Sequence, residues 1–206
     1  TLKIFYLLQY LLNLQMKSEI NNFLSVSPVD GRYYSKTEIF SNYFSEYALI
    51  KYRVYIETEY FIELTEIPLI NLKDISTKNK GDIRMIFKNF SIEDALRIKE
   101  IEKKINHDVK AVEYFIKEEF DKINLGSYKE FIHFGLTSQD INNTAVPLML
   151  KDGLKDILIP SYNDLIKNLE DFSKTTKNIP MVARTHGQVA TPTTFSKEIK
   201  VFEERL

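Results

Sequence analysis

Apolar side chains recur at steps of three and four residues over most of the chain beyond residue 35. This spacing places them on one face of an α-helix, whereas a half-buried strand would alternate at every second residue. Alternating runs rich in Val and Thr are scarce. The pattern therefore predicts an all-α fold built from long amphipathic helices.

The first two apolar stripes predict two long helices. The earlier stripe indicates a single helix of about 25 to 30 residues, and its members are Phe40, Tyr43, Phe44, Tyr47, Ile50 and Val54. The second helix is predicted to begin at Ser91, because a serine oxygen can accept one of the unpaired N–H groups of a helix start. Its stripe runs from Ile98 to Phe120 and continues through residues 106–108.

Further along the chain, Thr137 and Asp140 have the spacing of a capping box, which predicts a helix beginning at Ser138. A later apolar stripe between residues 154 and 172 predicts another helix, which Pro160 should kink because proline removes a backbone donor. Residues 178–193 contain two prolines and a glycine that interrupt the periodicity. They predict a loop before the last helix.

Composition excludes several classes of function. The chain has 206 residues and a net charge of -1, whereas nucleic-acid-binding proteins usually carry a basic excess, so we expect no nucleic-acid partner. No cysteine and only three histidines are present, so we expect no metal site. The apolar residues 4–14 are far short of the roughly 20 needed to cross a bilayer. We expect no membrane association and, by default, a cytoplasmic location.

The polar cluster with the clearest chemical potential lies in the predicted loop, at Arg184-Thr185-His186-Gly187-Gln188. Imidazole changes its charge near neutral pH, so His186 is the best candidate for proton transfer. The Thr185 hydroxyl could orient the ring, and Gly187 would let a ligand approach the backbone closely. The alternative is a loop histidine that caps a helix, and this cluster alone leaves both interpretations open.

Two more clusters combine groups that suit anions. Arg32 and Tyr33 follow a Pro-Val-Asp-Gly turn and offer a fixed cation and a phenol hydroxyl to a phosphate oxygen or a purine edge. Thr137 and Ser138 stand at a helix start, where hydroxyls, N–H groups and the helix dipole favour a carboxylate. A surface turn and simple helix capping explain the same residues without a ligand.

The third cluster, Asn106, His107 and Asp108, is predicted to lie on the helix face opposite the apolar stripe, where it could meet a polar ligand. A solvated helix face is the alternative, because charged residues opposite a core stripe are common. His133, between Ile132 and Phe134, is predicted to be a packed histidine.

Taken together, these clusters resemble the N-terminal half of adenylosuccinate lyases, within the fumarase/aspartase superfamily. The resemblance runs from about residue 25 to residue 206 and includes the order and separation of the motifs. It is most specific at Ser27-Pro28-Val29-Asp30-Gly31-Arg32-Tyr33, at Asn106-His107-Asp108-Val109-Lys110-Ala111-Val112-Glu113-Tyr114, and at His133-Phe134-Gly135-Leu136-Thr137-Ser138-Gln139-Asp140-Ile141-Asn142-Asn143.

The resemblance implies an activity and a set of roles. It implies β-elimination of fumarate from adenylosuccinate, giving AMP, and from the succinyl-carboxamide ribotide of purine biosynthesis, with no metal or organic cofactor. His186 matches the family's general acid. Substrate-binding positions are matched by Arg32 and Tyr33 for the nucleotide, by Asn106, His107 and Asp108 for substrate orientation, by Thr137 and Ser138 for the succinyl end, and by Thr185 beside the acid.

The resemblance also implies an organisation. Residues 1–24 would be an N-terminal extension of uncertain status, residues 25–126 a helical domain, and residues 127–206 the first helices of a central helical bundle that the chain leaves incomplete. The family's base is a serine downstream of Leu206, and its members are homotetramers whose sites are shared between subunits. Two alternatives stay open: another fumarate-releasing lyase, such as an argininosuccinate lyase, and a non-catalytic helical assembly module.

Overall fold

The computed structural model describes residues 26–68 and 70–206, so the predicted extension at residues 1–24 lies outside the described residues. The chain divides into two compact units, residues 1–150 and residues 151–206. Helices account for most of both units, and the all-α prediction is confirmed. Within the described ranges, no helix is both long enough and apolar enough to cross a membrane.

The first unit begins with short helical turns and continues with longer helices. Helix α1 (Tyr34–Thr37), a 3-10 turn (Glu38–Phe40) and α2 (Ser41–Phe44) precede the 19-residue helix α3 (Glu46–Leu64). The rest of the unit contains a 3-10 turn (Ile70–Leu72), α4 (Thr77–Lys88), α5 (Ile92–Ile105), α6 (Asp108–Lys122), a 3-10 helix (Gly126–Phe131) and most of α7 (Ser138–Gly153).

The single helix predicted from the first stripe is interrupted at Ser45, so that prediction was wrong in extent. Ser45 adopts an extended conformation (φ -80°, ψ 166°), and its Oγ accepts a hydrogen bond from the Ala48 N–H at 3.1 Å. Serine competes for backbone hydrogen bonds in this way and favours a helix start over a helix interior. The predicted start at Ser91 is confirmed, because Ser91 and Asp94 form a reciprocal capping box.

The core of the first unit is a continuous apolar cluster formed by α3 to α6 and the segment that follows them. Phe61 of α3 and Phe120 of α6 meet edge to face, with ring centroids 4.9 Å apart, and both side chains are fully buried. Ile83 and Ile98 bring α4 and α5 into the same cluster. Burial of each such side chain contributes roughly 1.5–3 kcal/mol to the free energy of unfolding, so this cluster fixes the helices relative to one another.

The second unit contains a π-helical segment (Leu154–Leu158), α8 (Ile159–Thr175), strands β1 (Pro180–Thr185) and β2 (Gln188–Thr194), and α9 (Phe195–Glu203). Pro160 stands in the first turn of α8, where a missing N–H is tolerated, and the π-helical turn precedes it. Phe172 of α8 packs edge to face on Phe195 of α9, with centroids 5.7 Å apart.

The loop predicted over residues 178–193 is instead a β-hairpin, so this prediction was wrong. Strands β1 and β2 pair antiparallel, from Pro180 opposite Thr194 to Thr185 opposite Gln188, with an irregularity between Val182 and Arg184. Pro192 lies within β2. Proline has no N–H to donate, and it is tolerated there because each strand of a two-stranded sheet has one edge that forms no backbone hydrogen bonds with another strand.

Candidate functional site

His186 occupies the tip of the hairpin. Its backbone has a positive φ of 49°, and Gly187 follows with a φ of 77°. Two consecutive residues with positive φ between paired strand ends are the signature of a type I′ turn, whose twist matches that of the flanking strands. The turn exposes the imidazole of His186 to solvent, with Thr185 immediately before it at the end of β1.

Asn106 and His107 form the junction between α5 and α6, rather than one face of a continuous helix as predicted. Asn106 ends α5 in the left-handed conformation (φ 56°, ψ 40°), which asparagine adopts more readily than most residues. His107 is the N-cap of α6, where its Nδ1 accepts the Lys110 N–H at 3.1 Å. Half of the His107 side chain is exposed, so the junction presents an imidazole at a helix start.

Asp108, the first residue of α6, is tied to the interior of the first unit. Its Oδ2 lies 2.8 Å from Nη2 of Arg53, a buried residue of α3. Burial by itself would raise the pKa of the Asp108 carboxyl, but the Val109 N–H and the Arg53 guanidinium outweigh it and lower that pKa. The carboxylate is therefore ionised at neutral pH and held in one orientation.

The same arginine also reaches the Thr-Ser segment. Arg53 Nε donates to Oδ1 of Asn142, in the second turn of α7, at 2.9 Å. The predicted start of α7 at Ser138 is confirmed, and the Asp140 carboxylate accepts both the N–H and the hydroxyl of Thr137, at 2.7 and 2.8 Å. Thr137 is exposed and Ser138 partly exposed. Arg53 therefore connects one predicted polar cluster, at Asp108, with the helix that follows Thr137 and Ser138.

A second charged contact lies one turn further along α3. The carboxyl group of Glu57 is completely buried, and its Oε1 lies 2.5 Å from Nδ1 of His133. Burial raises the pKa of Glu57, although the bond with His133 acts in the opposite direction. His133 has a positive φ of 60° and stands five residues before Ser138. It is packed, as predicted, but its hydrogen-bonding partner in α3 was not foreseen.

Arg32 and Tyr33 lie at the beginning of the described chain. Ser27 O accepts the N–H groups of Asp30 and Gly31, both at 3.1 Å, so the predicted turn is present. The Arg32 guanidinium lies 5.5 Å from the centroid of the Tyr33 ring, within the range of a cation–π contact, and both side chains are exposed. This arrangement leaves the edge of the guanidinium accessible to an anion.

The predicted residues thus fall into separate groups. Arg53 brings the Asn106–Asp108 junction together with the segment that contains Thr137 and Ser138, whereas Arg32 and Tyr33 make their contact with each other. Thr185 and His186 belong to the second unit. Among the described residues, no group of three or more histidines, cysteines and carboxylates could hold a metal ion.

The capping role of His107 makes a testable prediction about stability. Replacing His107 by Ala should lower the free energy of unfolding by about 1 kcal/mol, because the Lys110 N–H loses its acceptor. His107→Asn should retain most of that stability, since asparagine is among the best N-caps. Thermal unfolding of the two variants in parallel measures the difference, and equal losses would show that the ring does not act as a cap.

Comparison with known proteins identifies the family of the chain. A family model described as "Lyase" matches residues 31–206. The fold resembles two solved structures: a fumarate lyase from Mesorhizobium sp. BNC1, with a TM-score of 0.62 and 23% identity, and β-carboxy-cis,cis-muconate cycloisomerase from Acinetobacter calcoaceticus sp. ADP1, with 0.59 and 20%. Each alignment covers 81% of this chain and 37% of the other. The chain belongs to the lyase family.

Within this family the similarity is to adenylosuccinate lyases, and the resemblance first noted in the motifs is confirmed. The adenylosuccinate lyase of Dictyostelium discoideum is 52% identical over 195 residues, which are 91% of this chain and 41% of that protein. The enzyme of Escherichia coli K12 is 43% identical over 188 residues, which are 88% of this chain and 40% of that protein. The chain spans about two fifths of the length of these curated relatives.

Proposed function

We propose that the full reading frame containing this sequence encodes an adenylosuccinate lyase. The observation that carries the proposal is the 52% identity with an adenylosuccinate lyase across 91% of the chain. The proposed reactions are release of fumarate from adenylosuccinate, giving AMP, and from the succinyl-carboxamide ribotide of purine biosynthesis. We expect neither to need a cofactor and both to occur in the cytoplasm.

The reaction is a β-elimination in which one proton is removed and another is supplied. A base takes a proton from the succinyl Cβ, the resulting carbanion delocalises into its carboxylate, and the bond between Cα and nitrogen breaks. The electron pair of that bond leaves with the nitrogen, which receives a proton from His186. The exposed imidazole at the hairpin tip supports this role, because a general acid must reach the leaving group directly.

The remaining predicted residues are assigned to substrate binding. Arg32 and Tyr33 would contact the nucleotide, and Thr137 with Ser138 would contact the succinyl end at the start of α7. Thr185 would lie beside the general acid. Asn106, His107 and Asp108 would orient the substrate, and the α5–α6 junction supports that role because it exposes a polar turn instead of a smooth helix face.

Two parts of the proposed enzyme lie outside this chain. The base would be a serine downstream of Leu206, and a homotetramer would complete each site with residues of other subunits. Large apolar side chains are exposed along α8 of the second unit, at helical spacing, and they support an assembly that covers them; they are Ile159, Tyr162, Leu165 and Phe172.

The test is release of fumarate from adenylosuccinate by the protein expressed from the full reading frame. Argininosuccinate, measured in parallel, serves as the control substrate. We expect fumarate from adenylosuccinate alone. Fumarate from argininosuccinate alone would support a different lyase. Fumarate from neither, together with no rise in melting temperature in millimolar AMP, would support an assembly module instead, because a ligand stabilises a protein only through a site.

A further inference from the structure

We propose that Arg53 is a positioning residue that holds the two halves of the proposed substrate site of the first unit, the Asn106–Asp108 junction and the Thr137–Ser138 segment, at a fixed separation. The inference rests on the proposed function, because it assigns Arg53 to the same site. Arg53 is itself buried, so we assign it no direct contact with the substrate. Its two hydrogen-bonding partners carry the argument.

Both partners of Arg53 lie near residues that are expected to contact the substrate. Asp108 follows His107 directly, and its Oδ2 lies 2.8 Å from Arg53 Nη2. Asn142 is four residues after Ser138, so the two share one face of α7 one turn apart. Its Oδ1 accepts from Arg53 Nε at 2.9 Å. A shift of the guanidinium would therefore move both helix starts.

Arg53 is more deeply buried than its charged partner. Only 8% of the Arg53 side chain is exposed, whereas 48% of the Asp108 side chain is exposed. A buried guanidinium that loses a partner leaves an uncompensated charge, which is strongly unfavourable. The negative charge of Asp108 balances the positive charge of Arg53. The neutral amide of Asn142 accepts a hydrogen bond from a second N–H group of Arg53 and adds no charge. The arrangement is consequently held in one geometry.

The two contacts of residue 53 need the geometry of arginine as well as its charge. A guanidinium is planar and directs its N–H groups in fixed directions, so it can hold two acceptors from different helices at once. A lysine ammonium is a compact charge on a flexible stem, and it could keep the ion pair with Asp108 without fixing Asn142. Arg53→Lys is therefore the variant that separates charge from geometry.

The experiment measures kcat and KM for adenylosuccinate in Arg53→Lys, made in the full reading frame. We expect KM to rise by about 10-fold, because displaced contacts weaken binding at both ends of the substrate. A role in stability alone would reduce the fraction of active enzyme, which lowers apparent kcat and leaves KM unchanged. The control is Arg97→Lys, which alters the surface pairs with Glu118 and Glu100 in α6 and α5 and should leave KM unchanged.

A second variant keeps the proposal testable where Arg53→Lys fails to fold. Asn142→Ala preserves the ion pair with Asp108 and removes only the bond to α7. It should raise KM by a smaller factor, about 3-fold. An unchanged KM in the folded variants, or an equal rise in Arg97→Lys, would overturn the positioning role. If the unaltered protein releases no fumarate from adenylosuccinate, the proposed function fails first, and the two failures are thereby distinguished.

Discussion

Replacing His186 by Asn in the full reading frame should lower turnover of adenylosuccinate by at least about 100-fold, because the leaving nitrogen would lose the proposed proton donor. Asparagine is the informative substitution at this position. The turn requires a positive φ at residue 186, and Asn-Gly is the pair that type I′ turns favour most. His186→Asn should therefore remove the imidazole and preserve the hairpin.

His186→Ala is the matched comparison. It should reduce turnover by at least the same factor, and it should be less stable than His186→Asn, because asparagine adopts the left-handed conformation more readily than alanine does. Turnover and melting temperature are measured for both variants. Near-normal turnover in His186→Asn would remove His186 from the role of general acid, whereas loss of activity only in the Ala variant would assign the residue to the turn.

The helices of the first unit could be predicted because their sequence signals are local. The apolar stripe from Ile98 to Phe120 lies in α5 and α6, and the serine before it forms the predicted cap. The boundaries inside that stripe could not be predicted from periodicity. The spacing of three and four residues continues from Ile105 to Val109, although the backbone of Asn106 between them turns left-handed and His107 uses its ring as a cap, which is uncommon for histidine.

The hairpin could not be predicted because its signals resemble those of a loop. Pro180, Gly187 and Pro192 interrupt helical periodicity, and prolines usually argue against a strand. In a two-stranded hairpin each strand has one unpaired edge, where a proline interrupts no hydrogen bond between strands. The His-Gly pair at the turn was visible in the sequence, and a two-residue turn ending in glycine is the signal that would have found it.

The buried charges of α3 are the residues near the candidate site that sequence reasoning missed. Arg53, Glu57 and Phe61 recur at steps of four, so two charged residues share a helix face with a core phenylalanine. Charges on a core-facing stripe are a signal, because they are rarely buried without partners. The partners themselves, Asp108 and His133, are distant in sequence, and only the tertiary structure reveals them.

The Glu57–His133 pair makes the second prediction with a large expected effect. Replacing His133 by Ala leaves the buried Glu57 carboxyl without the contact at Oε1, and its Oε2 already has no hydrogen-bond partner among the described residues. Loss of the hydrogen-bond partner of a buried polar group lowers the free energy of unfolding by roughly 1–3 kcal/mol, and by more when the group is charged. We expect a loss of that order near neutral pH, measured by urea unfolding at fixed protein concentration.

The double variant His133→Ala with Glu57→Gln tests the cause of that loss. Glutamine cannot ionise, so the double variant should be more stable than His133→Ala near neutral pH, although it has lost one more native group. If the double variant is no more stable than the single one, the effect of His133→Ala comes from a cavity or from the strained backbone at residue 133, and not from an unpaired carboxylate.

The stability of the two variants should depend differently on pH. Burial raises the pKa of Glu57, and so does the neighbouring charge of Glu113; the His133 contact lowers it, so loss of His133 raises that pKa further. A carboxyl whose pKa is higher in the folded state binds its proton more tightly when folded. The free energy of unfolding therefore falls as the pH rises from the ordinary pKa of a carboxyl through the raised pKa of Glu57.

Because the double variant has no titrating group at residue 57, the difference in stability between it and His133→Ala should be small near about pH 5 and large near about pH 8. A difference that is constant over this range would mean that Glu57 stays ionised in the folded His133→Ala protein, and the explanation by an unpaired carboxyl with a raised pKa would fail.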